Sequence, residues 1–316
     1  MSTTAPAPDP GPARTERFTV RLETYRRIAE VSLIALVLIV FTGAGVRLTG
    51  SGLGCPDWPA CRGEFVPPLD THTWLEYGNR LLSAAVGIPC FLAGVLAFRL
   101  RPRRRDLRWP GMALLIGVLA QGLLGGLTVI LDLHWQVVIA HYLLSIVLLT
   151  AAALLVWRVR RPPDAPRPEH GRRLVGSVRF LVAYGAYIIV AGTFATAAGP
   201  HAGGAGTGDV VERLDAFGDG TLRSLIYLHG HSATAMGLGS VALWFYARAR
   251  GAGPQLQRTL TAICLLIAAQ GIAGLAQYHL ALPAEIVWIH ASLAAVMWCA
   301  LMWAWLSAGR SAPART

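Results

Sequence analysis

Residues 135–157 read WQVVIAHYLLSIVLLTAAALLVW, a run with no charged side chain and a single histidine, His141. At 1.5 Å of rise per residue, a helix of this length reaches across the roughly 30 Å hydrocarbon core of a bilayer. Its apolar residues fall on every face, so it matches a membrane span better than the one-sided helix of a soluble domain. Arg158, Arg160 and Arg161 follow at once, as expected for a helix end leaving the membrane. Working outward, seven more segments have the same character: Ile28–Val46, Leu81–Phe98, Pro110–Ile130, Phe180–Ala198, Leu225–Tyr246, Leu260–Tyr278 and Ile286–Leu306. The expected fold is an all-α polytopic membrane protein with eight transmembrane helices.

Composition agrees. The chain of 316 residues is 54% hydrophobic and 14% charged, whereas soluble domains carry about 25% charged residues. This excludes an ordinary soluble enzyme, a disordered tail protein and a disulfide-stapled secreted module. The net charge is +11, and every one of the 28 basic residues is arginine. Twenty-three of them fall in the two tails and in the loops after spans 2, 4 and 6. The remaining five, Arg47, Arg62, Arg80, Arg213 and Arg223, fall on the other side. The positive-inside rule then places both termini in the cytoplasm. It also explains the basic charge through orientation and lipid headgroups, with no nucleic-acid partner. The Ala- and Pro-rich start of the chain reads as a disordered cytoplasmic tail rather than a signal peptide.

The chain repeats itself at an offset of 149 residues. Gln121-Gly122 recurs as Gln270-Gly271, Gly125 as Gly274, and His141 as His290; Gly43 and Gly50 recur as Gly192 and Gly199. Four spans per copy give both copies the same topology, so two bundles related by an axis along the membrane normal are expected. The divisions are a cytoplasmic tail 1–27, an N-terminal four-helix bundle 28–157, a linker 158–179, a C-terminal bundle 180–307 and a tail 308–316.

Ionisable groups inside a membrane are costly, which makes them functional candidates. His141, His229, His231 and His290 all lie a few residues below the outer surface, in one layer. Two histidines on facing helices of a bundle can hold a haem iron axially. The C-terminal half offers His290 with His229 or His231. The N-terminal half offers His141, and the corresponding place on span 2 is near Asn79. Hydrogen bonding of each histidine to a neighbouring helix is the alternative. His72, in an outer loop, and His170, in a cytoplasmic one, read as solvated. Glu76 lies three residues before Asn79 and shares its helix face. Arg80 is four residues after Glu76, so a catalytic carboxylate and a helix-end ion pair are both open. Cys55 and Cys61 lie in the first outer loop, in a compartment that permits a disulfide. Cys90, Cys264 and Cys299 read as small packing residues.

Taken together, these residues resemble the haem A synthase family. The stretch Gly45-Val46-Arg47-Leu48-Thr49-Gly50-Ser51-Gly52-Leu53-Gly54-Cys55-Pro56-Asp57-Trp58-Pro59 is similar to that family's first outer-loop signature, followed by Cys61 and by Glu76-Tyr77-Gly78-Asn79-Arg80. Gly199-Pro200-His201-Ala202-Gly203 is similar to the matching motif of the second half. The resemblance implies oxidation of the C8 methyl of haem O to a formyl group by successive hydroxylations, for cytochrome oxidase assembly. It implies haem b in the C-terminal bundle on His290 and His229, and haem O as substrate in the N-terminal bundle on His141. Glu76 would be the catalytic carboxylate and Cys55–Cys61 the outer-loop pair. Arg47 and Arg80 are candidates for pairing with haem propionates, with headgroup contact as the alternative. Two departures stand out: Asn79 replaces a histidine found in many members, and His231 competes with His229 as ligand. The implied setting is a bacterial plasma membrane, with membrane lipid around it, haem O synthase as a candidate donor of substrate and a homo-oligomer compatible with the sequence. A di-haem b electron-transfer protein without haem-modifying activity uses the same histidines and is the alternative reading; a transporter fits less well, since the cytoplasmic half has no ionisable path.

Overall fold

The computed structural model describes residues 18–311. The expected disordered start of the chain and the end of the C-terminal tail lie outside the described residues. Eight long helices account for the architecture: α1 (Leu22–Leu48), α2 (Thr71–Leu96), α3 (Arg108–Ile130), α4 (Trp135–Val159), α5 (Arg172–Ala198), α6 (Thr221–Ala249), α7 (Pro254–His279) and α8 (Ala284–Ala308). The all-α reading holds. The only strands among the described residues are two-residue pairs, Val20–Arg21 beside Leu100–Arg101 and Glu169–His170 beside Arg310–Ser311.

Seven of the eight helices are long and apolar enough to cross a membrane by length and composition. The exception is α6, which was expected to qualify. It is 29 residues long, but His229, His231, Ser232 and Thr234 interrupt its apolar run along with several glycines. Helix ends also extend past the apolar segments. α1 begins at Leu22 rather than Ile28, and α5 begins at Arg172 rather than Phe180. Charged residues such as Glu23, Arg26 and Arg27 continue the helix where water and headgroups can solvate them, and Glu23 pairs with Arg26 at 2.7 Å. The connection between α4 and α5 is thereby only residues 160–171.

Helices α1–α4 pack in a ring, each on the next and α1 on α4; α5–α8 repeat the pattern. Glycines permit the close approaches. A Cβ on Gly117 would lie 2.3 Å from a Leu148 methyl, and one on Gly185 would lie 2.5 Å from a Leu301 methyl. Small residues at helix crossings serve this purpose in membranes, where backbone proximity maximises dispersion contact. The two rings meet along α1, α4, α5 and α8. Trp298 donates to the Thr150 hydroxyl at 2.9 Å across this seam, and Trp288 donates to the Phe41 carbonyl at 2.7 Å. Outward faces carry exposed apolar side chains such as Ile34, Leu119, Leu123, Leu265 and Ile272, as a lipid-facing surface requires.

Candidate functional site

The first outer loop is tied down at both ends. Cys55 and Cys61 form a disulfide, and both are fully buried. Asp57 accepts from the backbone N–H groups of Gly63 and Arg62. These bonds, Gly63 foremost, hold its carboxyl below the ordinary aspartate range. Arg62 and Gly63 both have positive φ, 57° and 75°, so the chain turns tightly just after Cys61. Within the ring, Trp58 lies on α3: a Cβ on Gly126 would be 2.6 Å from its indole.

Glu76 sits beneath this loop, 5% exposed. Its Oε2 accepts from the Cys55 N–H at 2.8 Å, and its Oε1 accepts from Arg80 at 2.6 Å. Arg80 also donates to the carbonyls of Cys55, Asp57 and Ala60 at 2.8, 2.8 and 2.9 Å. Four of the five guanidinium N–H groups are thus used on the loop and the carboxylate. Arg80 therefore anchors the loop, and the helix-end ion pair with Glu76 is present. Arg47 is placed differently from Arg80. It donates to the His201 carbonyl at 2.9 Å and the Thr196 carbonyl at 3.4 Å, so it links the first half to the outer end of α5. The two outer loops join there, with Gly52 N–H on Gly203 O at 2.9 Å and Gly206 N–H on Gly50 O at 3.1 Å.

Three members of the histidine layer, His141, His229 and His290, turn into the bundles, and His231 does not. His141 projects from α4 towards α3, where a Cβ on Gly125 would be 3.2 Å from its Cε1. Its Nδ1 is buried and has no hydrogen-bond partner among the described residues. Gln121 donates to the His141 carbonyl at 3.2 Å and also bonds Ser145. In the second half, His229 and His290 approach from α6 and α8, with ring centroids 6.0 Å apart. His290 Nδ1 is likewise buried and unpartnered among the described residues. His229 Nδ1 lies 3.1 Å from the Ile188 carbonyl. A carbonyl can only accept, so Nδ1 carries the proton and Nε2 presents a lone pair. A metal-binding histidine is oriented in this way by its second nitrogen. His231 is exposed and uses Nδ1 on the Tyr227 carbonyl of its own helix at 2.7 Å. Imidazole donors from two facing helices, with glycine beside each ring, fit a bis-histidine haem.

Glycine positions relate the two halves more closely than sequence offsets do. A Cβ on Gly43 would lie 3.9 Å from the Asn79 amide, and one on Gly192 would lie 3.0 Å from His229. Gly125 faces His141, and Gly274 faces His290 at 3.6 Å by the same measure. Asn79 is therefore the counterpart of His229. The offset is 150 on α2 and α6, which start at Thr71 and Thr221, because the second half has one more residue between Gly192 and His229 than the first has between Gly43 and Asn79. On that register Glu76 corresponds to Ile226 and Arg80 to Gly230. The carboxylate and its arginine belong to the first half alone. Asn79 accepts from Thr42 through its side-chain oxygen at 2.8 Å.

Two histidines are not the solvated residues they were expected to be. His72 lies in the first turn of α2, bonds Ser51 at 2.8 Å and packs so closely on Gly206 that a Cβ there would meet its ring at 2.3 Å. His170 bonds the Ala308 carbonyl at 3.0 Å. Both positions follow from contacts between distant segments, for which local sequence carries no signal. The loop contacts of Arg80 and the seating of Trp58 on Gly126 were missed for the same reason.

The family model described as cytochrome oxidase assembly protein, COX15-CtaA, matches residues 26–302. The protein named Heme A synthase from Geobacillus thermodenitrificans is 34% identical over 134 residues, 42% of this chain and 42% of that protein. Its namesake from Bacillus pumilus is 27% identical over 181 residues, 55% of this chain and 57% of the relative. That from Alkalihalophilus pseudofirmus is 28% identical over 180 residues, 55% and 59% of the two chains. The chain spans about half the length of the curated relatives it matches. With a family model covering most of its residues, the chain belongs to the COX15-CtaA family of cytochrome oxidase assembly proteins.

Proposed function

We propose that this protein is a haem A synthase that oxidises the C8 methyl of haem O to a formyl group. The overall change is R–CH3 + H2O → R–CHO + 4 H+ + 4 e−, through two hydroxylations and loss of one water from the resulting diol. The observation that carries the reading is the asymmetry between halves: both hold an inward histidine from α4 or α8, but only the first has a buried carboxylate, Glu76, one turn before Asn79 on α2. The first bundle, with His141 on one side and Asn79 opposite, takes haem O as substrate. Asn79 is a poor iron ligand, so one substrate face is left open next to Glu76.

Glu76 accepts protons released from the methyl carbon and its water, or stabilises positive charge developing there. Cys55 N–H and Arg80 fix its two oxygens, so the carboxylate needs little reorganisation. In the second bundle His229 and His290 hold haem b, which supplies one-electron relay when bound. His229 is favoured over His231 because it points into the bundle with Nε2 available. Arg47 keeps donors for a haem propionate, whereas Arg80 serves the loop. The setting is a bacterial plasma membrane with both termini cytoplasmic, as the arginine distribution supports. Haem O synthase is the expected source of substrate, and a homo-oligomer is compatible with the exposed apolar faces.

The test is expression in a host that makes haem O and lacks haem A. Haem extracts of cells with the unaltered chain contain the formyl product, and those with Glu76→Ala do not, while the purified variant keeps its haem b spectrum. An extract without formyl product from the unaltered chain overturns the proposal. Undiminished function in Glu76→Ala points to the di-haem electron carrier instead.

A further inference from the structure

The face opposite the disulfide loop carries a cavity of about 480 Å³ where α4, the 160–171 connection, α5 and the end of α8 meet. Arg104, Arg158, Arg161, Arg167, Arg179 and Arg310 line it, with Asp106 as the one carboxylate in the lining. That carboxylate is already matched. Arg104, 3% exposed, holds it through two bonds of 2.9 and 2.8 Å and also donates to the Arg158 carbonyl at 2.8 Å. Arg158 donates to the Asp106 carbonyl at 2.8 Å, and Arg310 pairs with Glu169 at 2.6 Å.

Arg161, Arg167 and Arg179 remain without a carboxylate among the described residues. Two of them are held flat by tryptophans. The Arg161 guanidinium lies 4.0 Å from the Trp157 ring centre, and that of Arg179 lies 5.4 Å from Trp305. Arg161 spends one N–H on the Gln255 Oε1 at 3.0 Å and Arg179 one on the Gly309 carbonyl at 3.4 Å, and the remaining N–H groups, steadied by the aromatic rings, are available to acceptor oxygens. Pro162, Pro163, Pro166 and Pro168 form the rim; their locked φ angles lower the entropy lost in ordering it. Leu154 and Leu306, on the spanning helices, form an apolar floor. Cationic edges over an apolar floor at a helix end match a phosphodiester joined to a glycerol and acyl chain.

We propose that this cavity binds the headgroup of an anionic glycerophospholipid, with its phosphate on Arg161, Arg167 and Arg179. The lipid is favoured over free phosphate because Leu154 and Leu306 add apolar surface from α4 and α8 to the arginine-lined cavity. Basic pockets between helix ends on the positive side of a membrane protein are suited to this role. The site uses residues from both halves, so an occupied cavity also ties them together. It is independent of the haem chemistry.

The test is native mass spectrometry and thermal unfolding of the full chain in detergent, with phosphatidylglycerol, phosphatidylcholine or water-soluble glycerophosphoglycerol added at equal concentration. Phosphatidylglycerol is expected to remain bound and to raise the unfolding midpoint, and the other two are not. The pair Arg161→Ala/Arg179→Ala is expected to retain at least about tenfold less phosphatidylglycerol, a loss of about 1.4 kcal/mol in binding. Should that pair unfold, Arg167→Ala on the connection serves, read by the same retention ratio. Equal retention of phosphatidylcholine, or unchanged retention in the variant that folds, overturns the proposal. An equal response to glycerophosphoglycerol overturns the lipid assignment and leaves a site for soluble phosphodiesters.

Discussion

The backbone N–H of Cys55 donates to Glu76 Oε2 at 2.8 Å, so one end of the disulfide is also a ligand of the buried carboxylate. A single covalent ring, closed by Cys61, therefore sets the position of a group on α2. Arg80 reinforces it by bonding the Cys55 carbonyl and Glu76 together.

Opening the ring is expected to release Cys55 from Glu76. In Cys61→Ser, formyl product should fall by about 10²-fold, the lower end of what a positioned proton acceptor contributes. The haem b spectrum should persist, because His229 and His290 lie in the other bundle. The check is haem extraction alongside an absorbance spectrum of the same preparation. Loss of both signals together would show that the loop holds the whole fold rather than the carboxylate.

His229 and His231 sit two residues apart on α6 and face different surroundings. His229 meets His290 and the Ile188 carbonyl inside the bundle; His231 is exposed and bonds only its own helix. His229→Ala is expected to lose the resident haem b, and His231→Ala to retain it. A pyridine haemochrome assay on each purified variant reads the outcome directly. Equal loss in both would contradict the placement of His229 as ligand.

Much of this arrangement was legible in the chain. Uninterrupted apolar runs such as 135–157 mark spans because a bilayer imposes one simple demand on length and polarity. The recurrence of His141 as His290 marked the shared layer. The pairing of Asn79 with His229 was less accessible, since one extra residue between Gly192 and His229 hides it until glycine contacts align the helices. In the sequence Gly43, Gly125, Gly192 and Gly274 are only repeated small residues; their distances to Asn79 and to the three imidazole rings assign them a further task. α6 shows the opposite lesson: the histidines and small residues that make it useful also lower its apolarity. The bonds of Arg80 and His72 were beyond reach, because they join segments whose meeting depends on the fold of the loops.

Asp57 gives the outer loop a defined response to acid. Its folded pKa lies below the unfolded value of about 3.9, chiefly because the Gly63 N–H bonds the ionised form. A depressed carboxylate stabilises above its unfolded pKa, and that contribution is lost as pH falls through the folded pKa. The turn at Arg62–Gly63 should therefore stay closed through the ordinary carboxylate range and loosen only below it. In Asp57→Asn this pH dependence should disappear. Hydrogen exchange of the Gly63 amide against pH, corrected for intrinsic rate, checks both statements.

Gly192 tests whether the small residues beside the histidines are needed for the ligands. A Cβ there would come within 3.0 Å of His229 Cε1 and 3.2 Å of Nδ1, tighter than ordinary van der Waals contact. The ring must tilt, and its bond to the Ile188 carbonyl, which sets the tautomer, must stretch. Disturbing such an orienting contact costs about 10- to 100-fold in metal affinity. Gly192→Ala is thus expected to copurify with little haem b. Gly230→Ala, on the same helix as His229 but with nothing within 4 Å of the added methyl, is expected to keep it. Helix propensity favours alanine at both positions, so a loss confined to Gly192→Ala isolates the ring contact from any effect on the helix itself. Equal haem content in the two variants would mean that the imidazole has room to spare and that Gly192 serves packing alone.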